Sequence, residues 1–178
     1  MSNSAVANRY AYALFQLAKE KKLLEPMEEE LRVVREVVSG NTGLNTVLKS
    51  PKVSKQEKEQ LIKKSFSAVN PYVLNTLLIL IDRHREDEIA QVADQFITLA
   101  NEEKGIAEAT VVSTRLLTEE ESKALSSTFA AKVGKKSLRI ENKVDSNLLG
   151  GVRVRIGNRI FDGSLKGKLE RLERQLLR

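Results

Sequence analysis

Few residues in this chain have the type and spacing for chemistry. The nearest approach to a phosphate loop is Gly163-Ser164-Leu165-Lys166-Gly167-Lys168. Such loops cradle phosphates with main-chain N–H groups and hold a metal through the hydroxyl that follows the lysine. Here the glycines are one residue too close, and Leu169 stands at the hydroxyl position. The glycines therefore read as turn residues and Ser164 as a helix N-cap. His84 is the only histidine and there is no cysteine, which excludes thiolate zinc sites, imidazole pairs and a Cys–His dyad; His84 is expected to be exposed between two helices. Glu28-Glu29-Glu30 and Glu119-Glu120-Glu121 sit in the first turns of predicted helices. Solvation and the helix dipole account for them better than paired acid–base catalysis. No catalytic constellation, metal set or cofactor motif emerges, so we expect no enzyme and no cofactor.

Arg153, Arg155 and Arg159, on or beside a predicted hairpin, form the one competing recognition signal. A basic ribbon of this kind can track phosphates, and the alternative function is a basic RNA-binding module. Only Phe161 supplies a nearby aromatic, and no RNP-type motif is present.

The hairpin itself is well specified. Val152, Val154 and Ile156 alternate with Arg153 and Arg155, the period of a half-buried strand. Gly157-Asn158 supplies a two-residue turn. That turn predicts Arg153 opposite Asp162 and Val154 opposite Phe161. A helix capped by Ser164 follows, with Leu165, Leu169, Leu172 and Leu176 on one stripe. Upstream, a weak strand is expected over 107–114. Next comes a helix opened by the Thr118/Glu121 capping box and carrying Leu125, Phe129 and Val133, closed at Gly134. Leu138, Ile140 and Val144 then alternate with charged residues as another strand. The order β-α-β-β-β-α implies a small sheet covered by two helices.

Residues 1–104 show only helical periodicity. Ser4 is expected to cap a first helix running to about Lys22, on which Val6, Tyr10, Ala13, Leu14 and Leu17 share a face with Ala7, Ala11 and Ala18 flanking. Pro26 suits the first turn of a second helix bearing Met27, Leu31, Val34 and Val38. Leu44, Val47 and Leu48 mark a short third, and Ser54 with Glu57 opens a fourth carrying Leu61, Ile62 and Phe66. Asn70-Pro71 starts a fifth, apolar nearly all round and so expected at the centre. A sixth runs from about Glu86 to Glu103 and buries Ile89, Val92, Phe96, Ile97 and Leu99. The predicted fold is mostly α with two domains: a six-helix bundle over 1–104 and a small α/β domain over 105–178.

Charge divides the same way. Residues 1–105 hold 15 basic and 15 acidic side chains, whereas residues 106–178 hold 15 and 9. All of the net +6 therefore lies in the second part, which points to different partners for the two parts. Absence of cysteine fits a reducing compartment. The longest apolar run, Leu77 to Ile81, is far too short for a membrane span. No signal or transit segment is read at the start. A soluble chain is expected.

The run Leu138-x-Ile140-x-x-x-Val144-Asp145-x-x-Leu148-x-Gly150-Gly151-Val152-x-Val154-x-x-Gly157 resembles the signature of the ATP synthase delta subunit family. That family includes the mitochondrial oligomycin-sensitivity-conferral protein. Asp162-Gly163-Ser164, Leu169-x-x-Leu172 and Ala7-Asn8-Arg9-Tyr10-Ala11-x-Ala13-Leu14-Phe15 are similar as well. The resemblance implies a non-catalytic stator of the F-type rotary ATP synthase, joining the catalytic head to the peripheral stalk and resisting rotor torque. By that resemblance the first domain holds the N-terminal helix of an alpha subunit between its first and fifth helices. Val6, Tyr10, Leu14, Leu74, Leu77, Leu78 and Ile81 would line the groove. The second domain would meet the C-terminal ends of the stalk b subunits. No nucleic-acid partner is then expected, and the membrane is reached only through the complex, at the cytoplasmic face of a bacterial cell.

Overall fold

The structure, a computed structural model, describes residues 5–169. Seven α-helices and four strands follow one another in it: α1 (Ala5–Glu20), α2 (Leu24–Gly40), α3 (Thr42–Lys49), α4 (Lys55–Ser65), α5 (Pro71–Asp82), a 3-10 turn (Glu86–Glu88), α6 (Ile89–Lys104), β1 (Ile106–Ser113), α7 (Glu119–Val133), β2 (Ser137–Val144), a second 3-10 turn (Ser146–Leu148), β3 (Val152–Ile156) and β4 (Arg159–Asp162). The chain is mostly helical with one four-stranded mixed sheet. It divides into two compact units, Met1–Ala100 and Asn101–Arg178. Ser4, Leu172 and Leu176 lie outside the described residues.

In the first unit the helix ends are set by local chemistry. Ser54 Oγ accepts the Glu57 N–H while the Glu57 carboxylate accepts the Ser54 N–H at 2.8 Å, so two otherwise orphaned donors are satisfied at once. Asn70 Oδ1 accepts the Tyr72 N–H at 3.0 Å, with Pro71 in the first turn. α2 starts at Leu24, two residues before Pro26, and its Glu28 is 2% exposed. That carboxylate takes Arg32 at 2.9 Å one turn on, and Glu30 accepts the Asn70 N–H at 2.8 Å. Two of the three clustered glutamates therefore do structural work that dipole compensation alone does not describe.

All six helices of this unit contribute to one apolar core. Phe15 meets Phe96 edge-on with ring centroids 6.2 Å apart, among Met27, Leu31, Leu48, Ile62, Leu77 and Leu80. On α1 the expected order of faces is corrected. Ala7, Ala11 and Ala18 are completely buried and form the middle of the stripe, while Ala13 is exposed. A methyl side chain lets a neighbouring backbone approach where a larger residue would hold it off. α5 buries Val73, Leu77, Leu80 and Ile81 but leaves Tyr72 and Ile79 exposed, so it is not enclosed on all sides. The sixth helix is preceded by a 3-10 turn rather than starting at Glu86.

In the second unit the sheet order is β2-β1-β3-β4. β1 pairs parallel with β2 and antiparallel with β3, the parallel pair being joined through α7 as a βαβ crossover. The hairpin register is as its turn predicts, with Arg153 opposite Asp162 and Val154 opposite Phe161. α7 opens with the Thr118/Glu121 capping box and closes at Gly134. Ala130 is buried, with Leu125, Phe129 and Val133 against Leu138, Val111 and Val154. Val144, expected on the buried face of β2, is exposed because it lies at the end of the strand. One helix, α7, covers the sheet core; of the second expected helix only residues 165–169 are described.

Candidate partner-binding site

Gly150, Gly151, Val152, Asp162 and Ser164 of the signature meet in a clasp at the end of β4, whereas Gly157 lies in the hairpin turn and Val144 at the end of β2. Asp162 Oδ1 accepts both the Ser164 N–H at 2.9 Å and the Ser164 hydroxyl at 2.6 Å. Its other oxygen accepts Arg153 Nε at 3.0 Å. The Ser164 hydroxyl in turn accepts the Gly167 N–H at 3.1 Å, the N-cap bond. Against this turn folds the segment before β3: Gly163 N–H donates to Val152 and Leu165 N–H to Gly150, each at 3.0 Å. Gly151 has φ +78°, and a Cβ there would stand 2.5 Å from the Gly163 carbonyl oxygen. Only a residue without a side chain fits. Asp145 caps the 3-10 turn through the Asn147 N–H at 2.9 Å, and Leu148 is buried.

Ser164's two donors, followed by Arg153, hold the Asp162 carboxyl down at about 2. The clasp also explains why the glycine-rich stretch does not build a phosphate cradle. The Ser164 donors are taken by the Asp162 carboxylate, those of Gly163 and Leu165 by main-chain carbonyls and that of Gly167 by the Ser164 hydroxyl, and the Asp162 carboxylate lies against Gly167. Of the three hairpin arginines, Arg153 is committed to Asp162. Arg155 donates to the Gly157 carbonyl at 3.3 Å, and Arg159 is exposed. The ribbon is therefore less basic than its sequence, since its pairing partners include an acid. Leu149, Leu165 and Leu169 are 71%, 48% and 58% exposed. Of these, Leu165 covers Gly150, its Cδ1 lying 2.8 Å from where a Cβ would stand.

In the first unit α1 and α5 are neighbours. Of the seven residues assigned to a groove there, Leu14, Leu77 and Ile81 are buried in the core. Val6, Tyr10, Leu74 and Leu78 are partly exposed, and of these Tyr10, Leu74 and Leu78 pack on the core from outside. A partner can touch the second group; the first only supports it. Arg85, which sequence reasoning passed over, donates Nη1 to the Tyr10 hydroxyl at 3.2 Å, and its guanidinium carbon lies 5.8 Å from the ring centroid. Seventy-five residues separate the two, so no local pattern could have paired them. His84 is exposed with φ +54° just after α5. Among the described residues no group of His, Cys, Asp or Glu is arranged to hold a metal ion.

The described residues form two compact units, one built on a capped helical core and one on a four-stranded mixed sheet with a glycine clasp at its end. The model of the ATP synthase delta (OSCP) subunit family matches residues 6–176. The chain is 54% identical over 177 residues to ATP synthase subunit delta of Geobacillus sp. (strain WCH70), covering 99% of both chains. It is 51% identical over 178 residues to the same subunit of Bacillus cereus (strain B4264), covering 100% of this chain and 99% of that one. Its fold matches, with a TM-score of 0.72 at 22% identity, a chain of the cryo-EM structure of the Toxoplasma gondii mitochondrial ATP synthase hexamer, covering 98% and 99% of the two chains. The chain belongs to the ATP synthase delta (OSCP) subunit family, whose members are non-catalytic subunits of the synthase that serves ATP synthesis. No described helix is long and apolar enough to cross a membrane.

Proposed function

We propose that this chain is a stator: it links the catalytic head of an F-type rotary ATP synthase to its peripheral stalk and resists the torque of the rotor during proton-driven synthesis. The helical unit takes the N-terminal helix of an alpha subunit against the facet between α1 and α5. The sheet unit meets the C-terminal ends of the stalk b subunits. The complex sits at the cytoplasmic face of a bacterial membrane, which this chain reaches only through its partners. The observation that carries this reading is the full-length similarity to delta subunits, at 54% identity across both units.

The facet supports it physically. Tyr10, Leu74 and Leu78 are partly exposed side chains packed on the core from outside, the kind of surface an amphipathic helix needs. Each apolar anchor buried there contributes about 1.5–3 kcal/mol before ordering costs, and nanomolar binding needs about 12 kcal/mol. Several anchors reach that level. Joining head and stalk through one chain adds effective concentration, because each contact holds the other closed. The excess of basic residues after 105 favours an acidic stalk partner through encounter rate and orientation. Stalk binding that did not weaken with added salt would remove that last contribution.

Calorimetric titration with a peptide of the cognate alpha N-terminus tests the proposal, with single-stranded RNA in a parallel cell. Tight one-to-one peptide binding is expected, weakened about 30-fold or more by Tyr10→Asp in a variant that keeps its helical spectrum. Leu77 is unsuited to this test because it is 2% exposed, and an Asp there would unfold the unit. Absence of peptide binding together with salt-dependent RNA binding would overturn the stator reading in favour of the hairpin arginines.

A further inference from the structure

The sheet ends on one side at β2, and the free side of that strand is only partly closed. Leu138 spends both its main-chain groups on α7: its N–H donates to Ser126 Oγ at 2.8 Å, and its carbonyl accepts the Ser126 hydroxyl at 3.1 Å. Successive residues of a strand point their peptide groups to opposite sides. Ile140, Asn142 and Val144 therefore direct theirs the same way as Leu138, away from β1. Just past the strand, the Asp145 N–H points back to the Ser113 carbonyl at 2.8 Å, which fixes the same alternation. No strand lies beyond β2 among the described residues.

What surrounds this edge describes an occupant. At its far end Val144 is 53% exposed. Leu116, 70% exposed, adjoins Leu117, whose N–H donates to Asn142 Oδ1 at 2.8 Å. An apolar corner thus stands beside three peptide groups that pair with no strand among the described residues. Arg139 and Lys143 alternate with Glu141 on the exposed row of the strand, where Lys143 pairs with Glu141 at 3.2 Å and leaves the row net basic. β4, the opposite edge, has only four residues, a length that discourages pairing.

We propose that β2 is a docking edge to which a stalk segment of the synthase adds as a fifth strand: an extended stretch with an apolar residue for the Leu116–Val144 corner and acidic residues facing Arg139 and Lys143. Main-chain pairing supplies affinity and the corner supplies register. Ser126 sets the limit, because pairing cannot run past Leu138. This deepens the stator reading and rests on it.

The test uses the intact synthase, stripped of this subunit and reconstituted with the isotopically labelled chain, with amide hydrogen exchange compared between free and assembled chain. In the free chain the amides of Ile140, Asn142 and Val144 are expected to exchange quickly, and those of Arg139, Glu141 and Lys143 slowly. Assembly should slow the first three at least about tenfold. Val144→Pro removes one outward N–H and spares the ladder to β1. It should weaken rebinding roughly fivefold, the value of one hydrogen bond, whereas Val144→Thr should rebind as the parent does. Rebinding that leaves the three amides as fast as in the free chain overturns the docking edge and leaves the stator reading standing. Failure to rebind at all overturns both. Pairing of β2 with a second copy of the chain, seen as concentration-dependent protection without the synthase, also overturns the proposal. If Val144→Pro fails to fold, the exchange measurement on the parent chain still decides.

Discussion

Single residues here earn their identity through close approach and charge. Gly151 is the sharpest case, because its positive φ and the Gly163 carbonyl 2.5 Å from a would-be Cβ exclude every side chain. Gly151→Ala is expected to destabilise the sheet unit by about 3 kcal/mol, read as a lowered urea midpoint with an unchanged slope. Asp162 and Glu121 make the same unit acid-sensitive. Ser164 and Arg153 hold Asp162 at about 2, and Arg115 with the Thr118 N–H holds Glu121 at about 2. Both carboxyls lie below their usual values of 3.8 and 4.5. Their stabilisation is thus complete above about pH 4.5 and disappears as pH falls through the folded values. Stability of the sheet unit should drop between pH 4.5 and 2, and Asp162→Asn with Glu121→Gln should flatten that drop while lowering the neutral-pH plateau. A profile as steep in the double variant as in the parent would show that other carboxylates carry the effect.

Most ion pairs lie at the surface, where each is worth little. Lys58 on α4 and Glu86 on the 3-10 turn differ, since both side chains are about nine-tenths buried and lie 2.8 Å apart. Lys58→Ala should cost roughly 3 kcal/mol by leaving Glu86 buried without its partner. Replacing both with Met should recover most of that loss. An equal cost for single and double variants, in thermal melts at neutral pH, would mean packing rather than charge is responsible. The neighbouring pairs Lys55–Asp82 and Lys49–Asp87 are half-exposed or more and should each be nearly neutral on removal.

At the scale of the molecule, two units with separate cores allow separate partners. Among the described residues the helical core draws on α1 to α6 and on nothing after Ala100. A fragment of residues 1–104, which keeps α6 whole, is expected to fold alone with a cooperative thermal transition by circular dichroism. A non-cooperative melt would show that the helices need the rest of the chain. In the proposed stator role each unit would offer its own docking surface and torque would pass from one to the other.

Much of the chain was legible because its signals are local. Caps at Ser54, Asn70 and Thr118, the αL glycine at Gly134 and the Gly157-Asn158 turn act over two to four residues, and each stands where its chemistry places it. The hairpin register followed from the turn alone, since a two-residue loop leaves one alignment open. The signature around Gly150 and Gly151 was legible as a pattern, but its purpose was not. Only the folded chain brings Gly163 and Ser164 against Gly151, thirteen residues away at most, and turns an apparent phosphate loop into a clasp around Asp162. Periodicity likewise marked the apolar stripe of α1 but put the alanines at its flank rather than its centre. Which residue lies deepest depends on the neighbours' approach, so the alanines took the centre and Leu14, Leu77 and Ile81 went to the core instead of the surface. Strand order, the parallel partner of β1, the Arg85–Tyr10 contact and the open edge of β2 are long-range outcomes. The sequence alone determined the element ends that carry a cap or a turn signal, because hydrogen-bond satisfaction there is a local requirement, whereas the starts of α2 and α6 lay elsewhere than expected. Tertiary structure decided which faces are buried and which remain for partners, because burial depends on what else packs there.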